Sequence, residues 1–206
     1  ILFGSQSGNS EELSAKFAKR ATDYGLDATV HDMDGFDLSA LPGMKRVLII
    51  CSTWGEGEMP DNAEELWLQA SADSAPNLSG VNFSILALGD TSYEFYCESG
   101  KDWDDRLQHL GATRLLDRVD CDVDYDSSAA AGAIDARAVM AAVDGSGQFH
   151  ENQVEAIKDR VSGSAAAGAA GEDGFTVPET AAEAIQAEIS IFRYDPVSAT
   201  TGKDTW

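Results

Sequence analysis

Ser5-Gln6-Ser7-Gly8-Asn9-Ser10 places three hydroxyls, the Asn9 amide and the backbone N–H groups around Gly8 just ahead of an expected helix start. A helix N-terminus with unpaired N–H donors is a natural seat for an anion. The loop holds no Lys or Arg, so an anion here would rest on neutral donors and the helix macrodipole. The Lys that a P-loop needs after its glycine is missing. Two further loops carry a different chemistry. Ser52-Thr53-Trp54-Gly55-Glu56-Gly57 and Leu88-Gly89-Asp90-Thr91-Ser92-Tyr93 each set one large aromatic ring beside glycine, and the second runs on through Glu94-Phe95-Tyr96-Cys97. Two such rings can sandwich a flat ligand and bury its faces without reacting with it.

Each loop directly follows an apolar stretch that reads as a buried strand: residues 1–3, 46–51 and 81–88. In an open parallel sheet such loops share the carboxyl edge, where ligands bind. Together they suit a phosphorylated, flat, aromatic cofactor, and flavin mononucleotide (FMN) is the candidate. Asp90 and Asp122 are expected near its ring or ribityl chain, where negative charge would disfavour an anionic reduced flavin. A solvated loop carboxylate is the ordinary alternative for both. Taken singly, the serine loop also reads as a helix cap, and Trp54 or Tyr93 as a loop anchor. His31, His109 and His150 are scattered, and no nucleophile, acid–base pair or metal cluster is evident.

The elements that must position these loops alternate along residues 1–144. Ser10-Glu11-Glu12-Leu13 opens a helix with a hydroxyl cap and early acidic residues, and Leu13, Phe17, Ala18 and Ala21 keep helical spacing. Strands are expected over 1–3, 28–33, 46–51, 81–88 and 113–119, with helices from Pro60, over 103–110 and over 129–143. Five strands alternating with helices imply an α/β, doubly wound parallel sheet. Residues 145–177 read as a helix and low-complexity linker, with 162–171 rich in Ser, Gly and Ala. Residues 178–206 read as an extended C-terminal tail, a short helix over 178–188 followed by the alternating Ile189-Ser190-Ile191-Phe192-Arg193-Tyr194.

The chain of 206 residues carries a formal charge of −22. Such a surface disfavours nucleic acid and anionic membranes and favours basic protein partners, although solubility or salt adaptation explains the same bias. No apolar run is long enough for a transmembrane helix. Cys51, Cys97 and Cys121 are odd in number and lack C-x-x-C spacing, which argues for reduced thiols in a reducing compartment. The chain opens inside its first expected strand without Met, so an upstream segment is expected.

The segment running from Leu88 through Tyr93 to Asp102, and Arg114-Leu115-Leu116-Asp117-Arg118-Val119-Asp120, resemble the flavodoxin-like domain of the diflavin reductases, in particular the sulfite reductase flavoprotein type. The resemblance covers about residues 1–144. It implies a five-stranded sheet of order 2-1-3-4-5 that binds FMN through residues 5–10, 52–55, 88–97 and Asp122. It further implies electron transfer to a redox protein partner: a reductase domain, a haem protein or an iron–sulfur protein. Trp54 departs from the smaller or different residue common in that branch, and the FAD- and NADPH-binding reductase domain has no counterpart in this chain. Ile189-Ser190-Ile191-Phe192-Arg193-Tyr194-Asp195-Pro196 is similar to the opening strand of succinate dehydrogenase or fumarate reductase iron–sulfur subunits. That likeness implies an alternative: a structural or assembly module of a respiratory complex II. The expected compartment is then the mitochondrial matrix rather than the cytoplasm.

Overall fold

Two continuous apolar runs build the centre of the sheet. Strand β3 (Arg46–Ser52) buries its five middle residues, and β4 (Asn82–Leu88) is buried throughout. Alternation divides them between two cores. Val47, Ile49, Cys51, Phe83 and Ile85 face one side; Leu48, Ile50, Leu86 and Leu88 face the other. The structure, a computed structural model, describes residues 1–124 and 126–168.

Strand β1 (Leu2–Gly4) pairs with β3 on one side and with β2 (His31–Asp32) on the other, all parallel. On the far side of β4 lie β5 (Thr113–Arg114) and β6 (Val119–Cys121). Both pair with β4 in parallel, so they form one interrupted edge strand, and the order is 2-1-3-4-5. The edge strand expected over 113–119 is therefore broken after Arg114 and resumes to end at Cys121. Ion pairs flank the break: Arg114 and Arg118 both reach the buried Asp104 carboxylate, at 2.7 and 3.1 Å, and Arg118 also holds Asp120 at 2.6 Å. The second strand is shorter than the expected 28–33, because only His31 and Asp32 register against β1.

Helices cover both faces. Helix α1 (Asn9–Ala21) buries Leu13, Phe17 and Ala21 at i, i+4 and i+8, and its acidic first turn and basic last turn complement the macrodipole. It shares its core with Ala129, Ala133, Ala136 and Met140 of α4 (Asp126–Ala141). On the opposite face, α2 (Asp61–Ser71) contributes Ala63, Leu66 and Ala70, and α3 (Glu98–His109) contributes Trp103 and Leu107. Trp67 meets Trp103 edge to face at 5.1 Å between ring centres.

The helix expected after residue 144 is α5 (Val154–Gly168), whose Val154, Ile157 and Val161 pack with Ala138 and Val139 of α4 and with Ala142 just beyond its end. Its backbone is helical through 162–168, the first part of the stretch expected to be a linker, because that stretch continues a helix already anchored by apolar packing. The remainder of that linker, the helix expected over 178–188 and the strand-like 189–194 lie outside the described residues. So does the likeness of the tail to iron–sulfur subunits. No described helix is long and apolar enough to cross a membrane.

Candidate cofactor site

At the carboxyl edge the loops after β1, β3, β4 and β6 surround a cavity of about 520 Å³, a size ordinary for small-molecule pockets. Its walls bring together Gln6, Ser7 and Asn9 from the first loop and Ser52, Thr53, Trp54 and Gly55 from the second. The third loop supplies Leu88, Gly89, Asp90, Tyr93 and Phe95, and Val123 completes the wall after β6. The lining includes Trp54, Tyr93, Phe95 and Val123, which stay 53%, 64%, 41% and 63% exposed. Large apolar side chains left open and gathered on one cleft mark a ligand site. A wider depression of about 600 Å³ lies between Leu38 and Pro76, but it has no aromatic wall and lies away from the carboxyl-edge loops.

The first loop is organised from within. Ser5 Oγ accepts hydrogen bonds from the Gly8 and Ser10 amides at 2.9 and 3.2 Å, so Ser5 shapes the loop rather than lining the cavity. Gly8 precedes α1 with φ 88° and ψ −7°, a left-handed conformation that glycine adopts without strain. Ser10 is buried, and its hydroxyl has no partner among the described residues. Ser7 and Asn9 are exposed on the cavity wall at the start of α1, where first-turn amides lack intrahelical acceptors.

The second loop is a tight hairpin. Trp54 and Glu58 form an antiparallel bridge, with Gly55 and Gly57 at positive φ between them. A Cβ on Gly57 would lie 3.2 Å from Phe95, so the second and third loops touch there. Ser99, buried in the first turn of α3, donates its hydroxyl to the Glu58 carbonyl at 2.9 Å and its amide to Thr53 Oγ1 at 3.2 Å.

The third loop turns on Asp90, whose carboxylate accepts from the Ser92 amide at 2.8 Å. Thr91 is latched to Asp122: its amide donates at 3.0 Å and its hydroxyl at 2.5 Å. These bonds, with the Val123 amide, hold the Asp122 carboxyl below the usual carboxylate range. Asp122 thus ties the loop to the edge strand and lies outside the cavity lining, as do Thr91, Ser92, Glu94, Tyr96 and Cys97. Cys97 is buried at the N-terminal cap of α3 with φ 56°, and burial, with the Asp120 charge, pushes its thiol up to about 12. Burial likewise raises the Tyr96 phenol, with Cys97, Asp120 and Asp122 adding to it.

Three contributors escape a reading by residue type: Val123 on the wall, and Asn62 and Ser99 behind the first two loops. Val123 is the apolar residue between Asp122 and Asp124, and extending the last strand to Cys121 brings it to the carboxyl edge.

Residues 1–136 match the flavodoxin family. The chain belongs to that family. The flavodoxin domain is 45% identical over 130 residues to the sulfite reductase [NADPH] flavoprotein alpha-component of Bacillus subtilis, covering 63% of this chain and 22% of that protein. With the alpha-component from Shewanella sp. (strain MR-7) the identity is 41% over 158 residues, covering 77% of this chain and 23% of that protein. The chain therefore spans less than a quarter of either relative. Among solved structures, a point mutant of flavodoxin from Pseudomonas aeruginosa matches with a TM-score of 0.60 and 27% identity, over 68% of this chain and 96% of that one.

Flavodoxins and sulfite reductase flavoproteins bind FMN. The residues of this flavodoxin domain fit that group. A cavity of about 520 Å³ brings exposed aromatic walls together with Ser7 and Asn9 at the start of α1, where the buried Ser10 hydroxyl behind the wall has no partner among the described residues.

Proposed function

We propose that this chain is the FMN-binding electron-transfer domain of a sulfite reductase flavoprotein-type reductase, passing electrons to a protein partner. The observation that carries the reading is the gathering of Trp54, Tyr93 and Phe95, still exposed, on one cavity with the serine-rich start of α1. When bound, FMN supplies the redox chemistry, taking electrons in pairs and releasing them singly. The chain's own residues bind, orient and shield. Ser7, Asn9 and the first-turn amides of α1 would hold the phosphate without a cation. Trp54 and Tyr93 would cover the ring, and Gly89, where a Cβ would fall 2.6 Å from the Cys97 amide, lets the backbone approach closely.

The partner is a redox protein with a basic docking face: a reductase domain, a haem protein or an iron–sulfur protein. From Cys51 to Gly100, the stretch holding the second and third loops, the chain carries nine carboxylates and no Lys or Arg. We assign residues 1–144 as the cofactor domain and a bacterial cytoplasm as its compartment, in keeping with bacterial relatives and three buried free thiols. The alternative of an assembly module in a respiratory complex gains nothing from this site, since such a module needs no open aromatic pocket.

Titration of the purified, ligand-free protein with FMN tests the proposal. Stoichiometric binding with quenched flavin fluorescence is expected, because rings stacked on an indole or phenol lose emission. A protein that leaves FMN fluorescence and visible spectrum unchanged overturns it.

A further inference from the structure

We propose that Asn62, which does not line the cavity, is the positioning residue for the phosphate end of the site. The inference rests on the FMN reading and deepens it. Asn62 is the second residue of α2, and its amide touches three separate segments. Its Oδ1 accepts from the Ser5 amide at 2.8 Å, and its Nδ2 donates to the Asp32 carboxylate at 2.8 Å and to the Phe3 carbonyl at 3.4 Å. The orientation is fixed by these partners, since the reversed amide would face the Ser5 N–H with a second donor.

The geometry makes Asn62 a pin across the β1–β2 side of the sheet's carboxyl edge. It joins the end of β1, the end of β2 and the first residue of the serine loop. The preceding residue reinforces it: the Asp61 amide donates to Gln6 Oε1 at 3.0 Å, and Gln6 Nε2 donates to Asp61 Oδ2 at 3.1 Å. The start of α2 thus grips both residues that lead into the anion-binding turn. Leu at position 62 would have no polar atom for any of the three partners. Asp would accept from Ser5 but would repel Asp32 and the Phe3 carbonyl.

The aromatic end is held by other groups, Ser99 behind Trp54 and Asp122 behind Thr91. Loosening Asn62 therefore disturbs the phosphate end selectively. The test compares FMN with riboflavin, which has the same ring and no phosphate. Wild-type protein is expected to prefer FMN. In Asn62→Ala the FMN affinity is expected to fall about tenfold, the worth of one neutral hydrogen bond in a shielded site. Riboflavin affinity should stay within about twofold.

Asn62→Leu keeps the branched outline of the side chain without its polar atoms, and should show the same loss of preference if truncation to Ala compromises folding. Amide exchange in ligand-free wild-type protein gives a second reading: Ser5 should be protected. An unprotected Ser5 amide, or variants in which both ligands weaken equally or neither weakens, overturns the proposal. Wild-type protein that binds both ligands alike, or neither, overturns the FMN reading and this inference with it.

Discussion

At the scale of single residues, Ser7 and Ser10 have opposite surroundings. Ser7 is exposed on the cavity wall, so under the proposed function Ser7→Ala removes only the bond that its hydroxyl would make to phosphate. Its expected cost in FMN binding is about 1.5–3 kcal/mol, with no change in stability of the ligand-free protein. Ser10 buries a hydroxyl that has no partner among the described residues. Ser10→Ala should therefore raise the melting temperature of the ligand-free protein, by a stabilisation of about 1 kcal/mol, while weakening FMN binding. Calorimetry alongside titration separates the two signs. Trp54→Ala and Tyr93→Ala should each weaken FMN and riboflavin together, by about 1 kcal/mol beyond the area lost. Much of this site is legible from residue types, since hydroxyls, glycines and rings announce their chemistry. Asn62 and Ser99 are not: an Asn or Ser at a helix start reads as a cap, and only the fold shows which loop each one grips.

The elements are legible where one force dominates. The apolar runs of β3 and β4 and the 3–4 spacing in α1 reflect burial alone, and the structure follows them to within a residue or two. The last strand is not legible in the same way. Its interruption is flanked by pairing to Asp104, ten residues before Arg114 and on another element, and such a pairing leaves no local pattern. Close packing of element on element has its own test. A Cβ added to Gly100 in α3 would fall 2.2 Å from Ala87 Cβ in β4. Gly100→Ala should push the helix off the sheet and destabilise by about 1–3 kcal/mol in urea unfolding. Ser99→Ala, one residue earlier, removes the hydroxyl bond to the Glu58 carbonyl that braces the hairpin carrying Trp54. It should weaken FMN and riboflavin equally, the contrast to Asn62.

For the whole molecule, the charge of −22 sets how its surroundings act on it. Carboxylates repel one another and also repel an arriving phosphate, while no Lys or Arg lies in the first loop to attract it. Added salt screens that repulsion. Raising NaCl should therefore raise the melting temperature and tighten FMN binding, whereas electron transfer to a basic partner should slow. Salt-independent FMN affinity would show that the distant carboxylates do not reach the site. Alkaline pH acts on the thiols. Burial raises Cys51 and carries Cys97 to about 12, so the folded state keeps both protonated after the unfolded chain has released its protons. Stability should be flat below the ordinary thiol range and fall from about pH 9 towards about 12, read by urea midpoints at stepped pH.

The sequestration of Cys51, Cys97 and Cys121 has a consequence for life in air. Reduced flavins leak electrons to dioxygen and generate peroxide, whose preferred protein target is an accessible thiolate. A carrier whose sulfhydryls stay walled off and neutral can produce that oxidant without being its first casualty, and its intact mass should survive repeated aerobic cycling.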